Sequence, residues 1–175
     1  GFAAGLPWPL TEAQERAMGE TLNDLSRPEP MRRLLQGDVG SGKTVVAAAA
    51  CARCVLSGHT AVLMAPTEVL AVQHHRSLRG FLEYLGVRVR LLTGGTGAAA
   101  RKALAGEMEQ RPDCVLVGTH AVLEDWVPLS RLALLVVDEQ HRFGVMQRER
   151  LTAGRAPRPH VLIMSATPIP RTLAM

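Results

Sequence analysis

Short apolar runs alternate with longer amphipathic stretches along this chain of 175 residues. The apolar runs predict six β-strands, and the amphipathic stretches between them predict four helices. Thr11 is placed to cap the first helix and Gly58 to stop the second. Repeated strand-then-helix order predicts an α/β fold with a mostly parallel sheet and helices on both faces. The predicted strands are 32–36, 60–65, 87–93, 114–118, 132–138 and 160–165, and the helices are 11–22, 43–57, 67–84 and 98–110.

The composition is that of a globular domain, since 47% of the residues are hydrophobic. No apolar run is long enough to cross a bilayer, so no membrane association is expected. The first ten residues, GFAAGLPWPL, contain neither Met nor a basic segment. They therefore predict no signal peptide, and they suggest a piece of a longer protein.

Net charge and cysteine content restrict the possible functions of the chain only slightly. The net charge of +4, from eighteen Arg and two Lys against sixteen acids, permits binding to a polyanion without requiring it. Three cysteines, an odd number, favour a reducing compartment over a disulfide framework. Cys51 and Cys54 form a CxxC inside an Ala-rich helical stretch, where we interpret both as packing residues and not as zinc ligands.

A glycine-rich stretch, GDVGSGKT, follows the first predicted strand and opens a predicted helix. It fits the phosphate-binding pattern G-x-x-x-x-G-K-T, in which backbone N–H groups and a helix N-terminus surround phosphate oxygens. Lys43 is expected to reach the β- and γ-phosphates and Thr44 to ligate Mg²⁺. The predicted nucleotide-binding residues of this loop are Gly37, Asp38, Val39, Gly40, Ser41, Gly42, Lys43 and Thr44.

A second polar cluster ends the fifth predicted strand, in LLVVDEQHRFG. Because ligands of parallel sheets bind beyond the carboxyl ends of the strands, these acids are expected to lie near the phosphate loop. Asp138 is predicted to hold Mg²⁺, and Glu139 to take a proton from the attacking water. With Lys43 they form the predicted catalytic group. His141 senses the γ-phosphate, links the site to a neighbouring motif, or is an ordinary structural histidine.

The phosphate loop, the DEQH stretch and SAT at 165–167 are similar, in order and spacing, to three motifs of superfamily 2 helicases. Finer matches resemble the RecG family of ATP-dependent DNA translocases, over essentially the whole chain. Ser41, Glu68 and Gln140 favour this family over the related transcription-repair coupling translocases. The matching blocks are LTEAQ at 10–14, APTEVLAVQHH at 65–75, GTHAV at 118–122, VVDEQHRFGVMQR at 136–148 and MSATPIPRTLA at 164–174.

The resemblance implies the first RecA-like P-loop NTPase domain of a two-domain motor, with ATP and Mg²⁺ as cofactors. Residues 1–25 would form a lead-in segment and helix, and residues 26–175 the domain itself. Gln14 would read the adenine edge, and Trp8, in LPWP where LPF is typical, would stack on the base. The residues implied to contact DNA are Thr67, Thr93, Gly94, Thr119 and His120, and those implied to couple hydrolysis to movement are Gln140, His141, Ser165 and Thr167.

The implied activity is ATP hydrolysis that drives translocation along double-stranded DNA and remodels stalled replication forks and other branched DNA. The implied partners are forked or branched DNA and a second RecA-like domain of the same polypeptide, in a monomer in the bacterial cytoplasm, associated with the nucleoid. Without an arginine finger, which is worth ~10³–10⁵ in rate, we expect this chain alone to hydrolyse little ATP. Three alternatives stay open: a transcription-repair coupling translocase, a non-catalytic nucleotide-binding module and a small-molecule kinase.

Overall fold

The computed structural model describes residues 1–38, 42–138 and 145–166, with the backbone alone for 145–147. The helices are α1 (Glu12–Leu25), α2 (Lys43–Leu56), α3 (Glu68–Leu82), α4 (Ala98–Gln110) and α5 (Val145–Thr152). The strands are β1 (Arg32–Gln36), β2 (Thr60–Met64), β3 (Arg88–Leu92), β4 (Cys114–Gly118), β5 (Leu132–Asp138) and β6 (His160–Ser165). All six predicted strands and all four predicted helices are present.

The six strands form one sheet in the order β1-β6-β5-β2-β4-β3, and every neighbouring pair is parallel. Helices cover both faces, because alternate residues of the central strands point to two separate clusters. Leu63 packs with α2 and α3 on one face, and Val62 packs with α4 on the other. The predicted α/β fold, a sheet with helices on both faces, is confirmed.

The ends of two helices follow the local rules that predicted them. The Thr11 hydroxyl accepts a hydrogen bond from the Gln14 N–H, while the Gln14 side chain accepts one from the Thr11 N–H, so α1 begins with a capping box. At the end of α2, Gly58 has a φ of 86° and donates to the Val55 carbonyl. A left-handed residue after the last turn is the usual place for glycine, so the predicted stop is also confirmed.

The sequence did not predict α5 or the 3₁₀ turns at Phe2–Gly5, Glu83–Leu85 and His120–Leu123. The α5 stretch, VMQRERLT, is short and largely polar, so it shows too little apolar periodicity to predict a helix. Leu151 nevertheless packs into the cluster beneath α4. Among the described residues, no helix is long and apolar enough to span a membrane.

The three cysteines are buried and unpaired, as the packing interpretation predicts. Burial raises the pKa of Cys54 to about 12, so its thiol stays protonated and unreactive at neutral pH. We expect native protein to resist alkylation at Cys54 at pH 7.5, and protein unfolded in urea to react readily. Mass spectrometry of the alkylated peptides distinguishes these outcomes, and equal labelling of both forms would contradict the burial.

The last residue of β4, Gly118, has to be a glycine because the backbone of Leu92 lies too close to it for a side chain. A Cβ there would lie 2.2 Å from the Leu92 carbonyl oxygen, and backbone cannot swing aside as a flexible side chain does. We expect Gly118→Ala to lower the free energy of unfolding by ~1–3 kcal/mol, the range for overpacking. Gly80→Ala is the matched control, because a Cβ at that position of α3 meets no atom within 4 Å. The control should raise the free energy of unfolding by ~0.5–1 kcal/mol, as urea titration can measure.

Candidate functional site

The described ends of the phosphate loop and Asp138, the first residue of the DEQH stretch, lie on the same edge of the sheet. The loop follows β1 and Asp138 ends β5, and these two strands flank β6. On β6, Ser165 is opposite Gln36 and Met164 is opposite Asp138, so the two flanking strands end within one residue of each other. Two strand spacings put the ends of β1 and β5 about 10 Å apart. This separation suits one ligand that touches both ends.

Lys43 is the first residue of α2, and its ammonium group points back into the loop. The Nζ atom donates to the carbonyl oxygens of Gly37, at 2.6 Å, and Asp38, at 3.0 Å. The helix N-terminus beside it adds positive potential from its free N–H groups. Gly42 precedes the helix with a φ of 83°, a left-handed conformation that favours glycine. The positive charge of the Lys43 ammonium group, and a backbone that can come close to a ligand at Gly42, suit the binding of a phosphate group.

Gln14 lies directly against the phosphate loop. A Cβ on Gly42 would lie 1.9 Å from Gln14 Nε2, so the two residues leave no room for a side chain between them. Because Gln14 Oε1 is held by the Thr11 N–H at 3.0 Å, the orientation of the amide is fixed by the start of α1. This contact places the predicted adenine-reading residue next to the predicted phosphate-binding residues.

Trp8 packs edge-to-face against Phe81, with ring centroids 5.8 Å apart. Phe81 lies in the last turn of α3, far along that helix from its start at the carboxyl edge of the sheet. The contact shows what holds Trp8 in this structure. Stacking of Trp8 on adenine remains a prediction.

Asp138 forms a buried pair with a residue that the sequence did not single out. His74 Nε2, on α3, lies 2.6 Å from Asp138 Oδ2, and the two side chains are only 13% and 7% exposed. An ionised carboxylate only accepts hydrogen bonds, so Nε2 is the nitrogen that carries the proton. The second carboxylate oxygen of Asp138, Oδ1, does not take part in the bond to His74, so its lone pairs can serve a metal ion or the water bound to one.

Among the described residues, no group of three or more His, Cys, Asp and Glu side chains could hold a metal ion without other ligands. Magnesium in nucleotide enzymes is held by one or two carboxylates together with the substrate phosphates. Asp138 and the hydroxyl of Thr44, on the first turn of α2, match that sparse set. The residues present therefore fit Mg²⁺ only as a partner of a bound nucleotide.

The end of β6 is joined to the phosphate loop. The Gly37 N–H donates to the Ser165 carbonyl oxygen at 3.2 Å. Ser165 itself is buried, at the start of the SAT stretch. A movement of Ser165 would therefore shift Gly37, and the reverse. A role for Ser165 in coupling hydrolysis to movement remains a prediction.

Four of the five residues predicted to contact DNA line one open hollow of about 420 Å³. The hollow lies at the same carboxyl edge, at the ends of β2, β3 and β4. Thr93 is the exception, because it is buried and its N–H bonds the Thr96 hydroxyl within a turn below the hollow. The lining residues are Pro66, Thr67, Glu68, Gly94, Thr119, His120, Ala121 and Glu124.

The hydroxyl of Thr67 caps α3 by accepting from the Leu70 N–H at 3.2 Å. It keeps its own O–H as a donor. Glu68 braces the facing loop, since its carboxylate accepts from the Gly95 N–H at 2.9 Å. The first turn of α3 therefore fixes one wall of the hollow.

Seven predicted site residues lie outside the described part of the chain. They are Val39, Gly40 and Ser41 of the phosphate loop, Glu139, Gln140 and His141 after β5, and Thr167 of the SAT stretch. Their predicted roles remain predictions.

Sequence reasoning missed His74 as a site residue, and used Glu68 only to separate two families. The signal for both was their place in APTEVLAVQHH, a block that leads from the end of β2 into α3. Polar residues on the inner face of a helix that starts at a ligand-binding edge point toward that edge. His74 occupies such a position, whereas Glu68 is exposed in the first turn of the helix, at that edge.

The family model for DEAD/DEAH box helicases matches residues 11–175. Among curated proteins, the chain is 52% identical over 175 residues to the ATP-dependent DNA helicase RecG of Synechocystis sp., covering 99% of this chain and 21% of that protein. It is 50% identical over 174 residues to the RecG of Bacillus subtilis, covering 99% of this chain and 25% of that protein.

Among solved structures, the chain matches one described as RecG bound to a three-way DNA junction. The TM-score is 0.85 at 39% sequence identity, over 99% of this chain and 23% of that one. The chain therefore spans about a quarter of the length of the relatives it matches. The agreement of family, sequence and fold leads to one conclusion: this chain belongs to the DEAD/DEAH box helicases, and nearly its whole length is similar to a segment of RecG proteins.

Proposed function

We propose that this chain is the nucleotide-binding part of an ATP-dependent translocase that acts on branched double-stranded DNA. The observation that carries the proposal is the shared edge of the sheet, where α2 begins with Lys43 after the loop that follows β1 and where β5 ends with Asp138. The DNA-facing hollow opens on the same edge, beyond β2 and β4. A nucleotide and a DNA strand bound there would be separated by only two or three strand spacings.

The chain's own residues suit the nucleotide as follows. Lys43 exchanges the carbonyl oxygens of Gly37 and Asp38 for phosphate oxygens, and the N-terminus of α2 adds its N–H groups. Thr44 and Asp138 would hold Mg²⁺, which, when bound, neutralises charge on the phosphates. Glu139 accepts the proton of the attacking water.

Neutral donors in the hollow suit a translocase, because contacts to phosphate grip DNA without reading its sequence. The Thr67 hydroxyl, whose O–H remains a donor, is one such group on this surface. The two acids that line the hollow are already engaged. Glu68 holds Gly95, and Glu124 pairs with Arg101 at 2.6 Å. Because the carboxylates of Glu68 and Glu124 already have partners, they repel a nearby DNA phosphate less than free carboxylates would.

Branched DNA is proposed as the partner because the matched RecG structure is bound to a three-way junction. A second RecA-like domain of the same polypeptide would close over the nucleotide and supply the arginine finger. The boundary at residue 25, a monomeric state and a cytoplasmic location near the nucleoid are predictions that accompany this proposal.

The test is ATP hydrolysis by the full-length protein with forked, linear duplex and single-stranded DNA of equal length. We expect forked DNA to stimulate hydrolysis most. A rate that no DNA changes would contradict the proposal. Stimulation that requires RNA polymerase would support a transcription-repair coupling translocase, and a phosphorylated metabolite as product would support a kinase.

A further inference from the structure

The pair formed by His74 and Asp138 has a structure unlike that of an ordinary surface ion pair. The donor and acceptor are 64 residues apart, and both side chains are largely withdrawn from solvent. Burial of a carboxylate is costly unless hydrogen bonds compensate it, so the Asp138 carboxylate depends on its partner. Removal of His74 would leave Oδ2 without the donor that the fold supplies.

The hydrogen bond also fixes the direction of the carboxylate. Asp138 is the last residue of β5, so its side chain lies at the carboxyl end of the strand. With Oδ2 held at 2.6 Å by a ring on a neighbouring helix, the carboxylate cannot rotate freely about its last bond. Oδ1 is then held in one orientation, at the carboxyl edge of the sheet where α2 also begins.

His74 is in turn held by a rigid element. It lies seven residues after Thr67 on α3, which is about 10 Å along one helix at the usual rise. The first turn of α3 lines the hollow through Thr67 and Glu68. One helix therefore carries residues of the hollow at its start and the partner of Asp138 two turns later.

We infer that His74 is a positioning residue, which holds the Asp138 carboxylate ready for Mg²⁺ from the helix that lines the DNA-facing hollow. The inference rests on the proposed function, since it takes Asp138 as a metal ligand. Hydrogen-bonding partners of metal ligands are typically worth 10–100-fold in metal affinity. His74 should therefore matter to binding of the metal–nucleotide before any hydrolysis occurs.

The experiment measures binding of a fluorescent ATP analogue to the full-length protein as Mg²⁺ is titrated, and again in EDTA. Three variants are compared with the wild type: His74→Ala, His74→Gln and His75→Ala. His75 is the matched control, because it neighbours His74 on α3 but lies near the Val89 carbonyl oxygen, at 3.3 Å, and not near Asp138. Glutamine keeps an N–H donor of similar reach.

For His74→Ala we expect ~10–100-fold more Mg²⁺ at half-saturation, with unchanged binding in EDTA. His74→Gln should recover much of the loss, and His75→Ala should match the wild type. Unchanged binding in EDTA shows that the variants fold, so a lost Mg²⁺ response is then local to the site.

Two results would contradict the inference about His74, and they can be told apart. If His74→Ala and His75→Ala respond to Mg²⁺ alike, the positioning role is wrong while the proposed function stands. If the wild type itself binds the analogue equally well with and without Mg²⁺, the proposed function fails, and the inference fails with it.

Discussion

Glutamine in place of Glu139 should lower the rate of ATP hydrolysis by ~10²–10⁴-fold, the range for loss of a positioned general base. Glutamine keeps the size of the side chain and loses its ability to take a proton. Glu139 follows Asp138 directly in the sequence, and Asp138 ends β5 at the edge where the nucleotide is proposed to bind. Binding of ATP should survive the change, because the phosphate loop and Asp138 are intact. Hydrolysis is measured in the full-length protein with forked DNA present.

The matched control for this change is Glu109→Gln, at an exposed position near the end of α4. It removes the same charge far from the proposed site, and its hydrolysis rate should equal that of the wild type. Retained ATP binding with unchanged turnover in Glu139→Gln would show that Glu139 is not the base. That result would favour the non-catalytic nucleotide-binding module.

Alanine in place of Lys43 should abolish measurable ATP-dependent activity. The change removes the ammonium group that stabilises the phosphates, and loss of one such transition-state donor costs ~10²–10³-fold in the catalytic rate. It also removes the positive charge that would contact the phosphate oxygens in place of the Gly37 and Asp38 carbonyls, so nucleotide binding should weaken as well. Steady-state hydrolysis and binding of a fluorescent ATP analogue measure the two losses separately.

The chain offers an unusually clean control, because Lys43 and Lys102 are its two lysines. Lys102 is exposed on α4, so Lys102→Ala should leave both measurements unchanged. The variant Lys43→Arg separates the effect of charge from that of shape. A planar guanidinium keeps the charge but does not fit a pocket shaped for a compact ammonium. Full activity in Lys43→Ala would contradict the assignment of the phosphate loop.

The fold could be predicted because each strand and most helices carry their own local signals. β2 and β4 are buried on both faces, so they appear in the sequence as continuous apolar runs between glycines and polar residues. Gly58 and Thr11 mark helix ends through backbone geometry that depends only on neighbouring residues. α5 lacked such signals, because Leu151 is buried in a helix that is otherwise mostly polar.

The shared edge of the sheet could also be predicted, since parallel strands bring their carboxyl ends together whatever their order. The pairing of His74 with Asp138 could not. It depends on β2 lying beside β5, so that a side chain of the helix after β2 reaches the last residue of β5. Nothing local in either segment reveals that strand order.

The same limit applies to Trp8 and Thr93. The contact of Trp8 with Phe81 joins residues 73 positions apart, and the burial of Thr93 depends on how β3 lies at the outside of the sheet beside β4. Motif resemblance predicted what these residues would touch in a complex. It did not predict how the chain holds them by itself.

A crystal structure of the full-length protein with Mg²⁺ and a non-hydrolysable ATP analogue tests the central claim most directly. We expect the Thr44 hydroxyl at ~2.0–2.1 Å from the metal ion, the usual Mg²⁺–oxygen distance. Asp138 should lie within one water of the same ion, and Lys43 should contact the terminal phosphates. A nucleotide bound at another edge of the sheet, or a metal ion without Thr44 and Asp138 around it, would contradict the account.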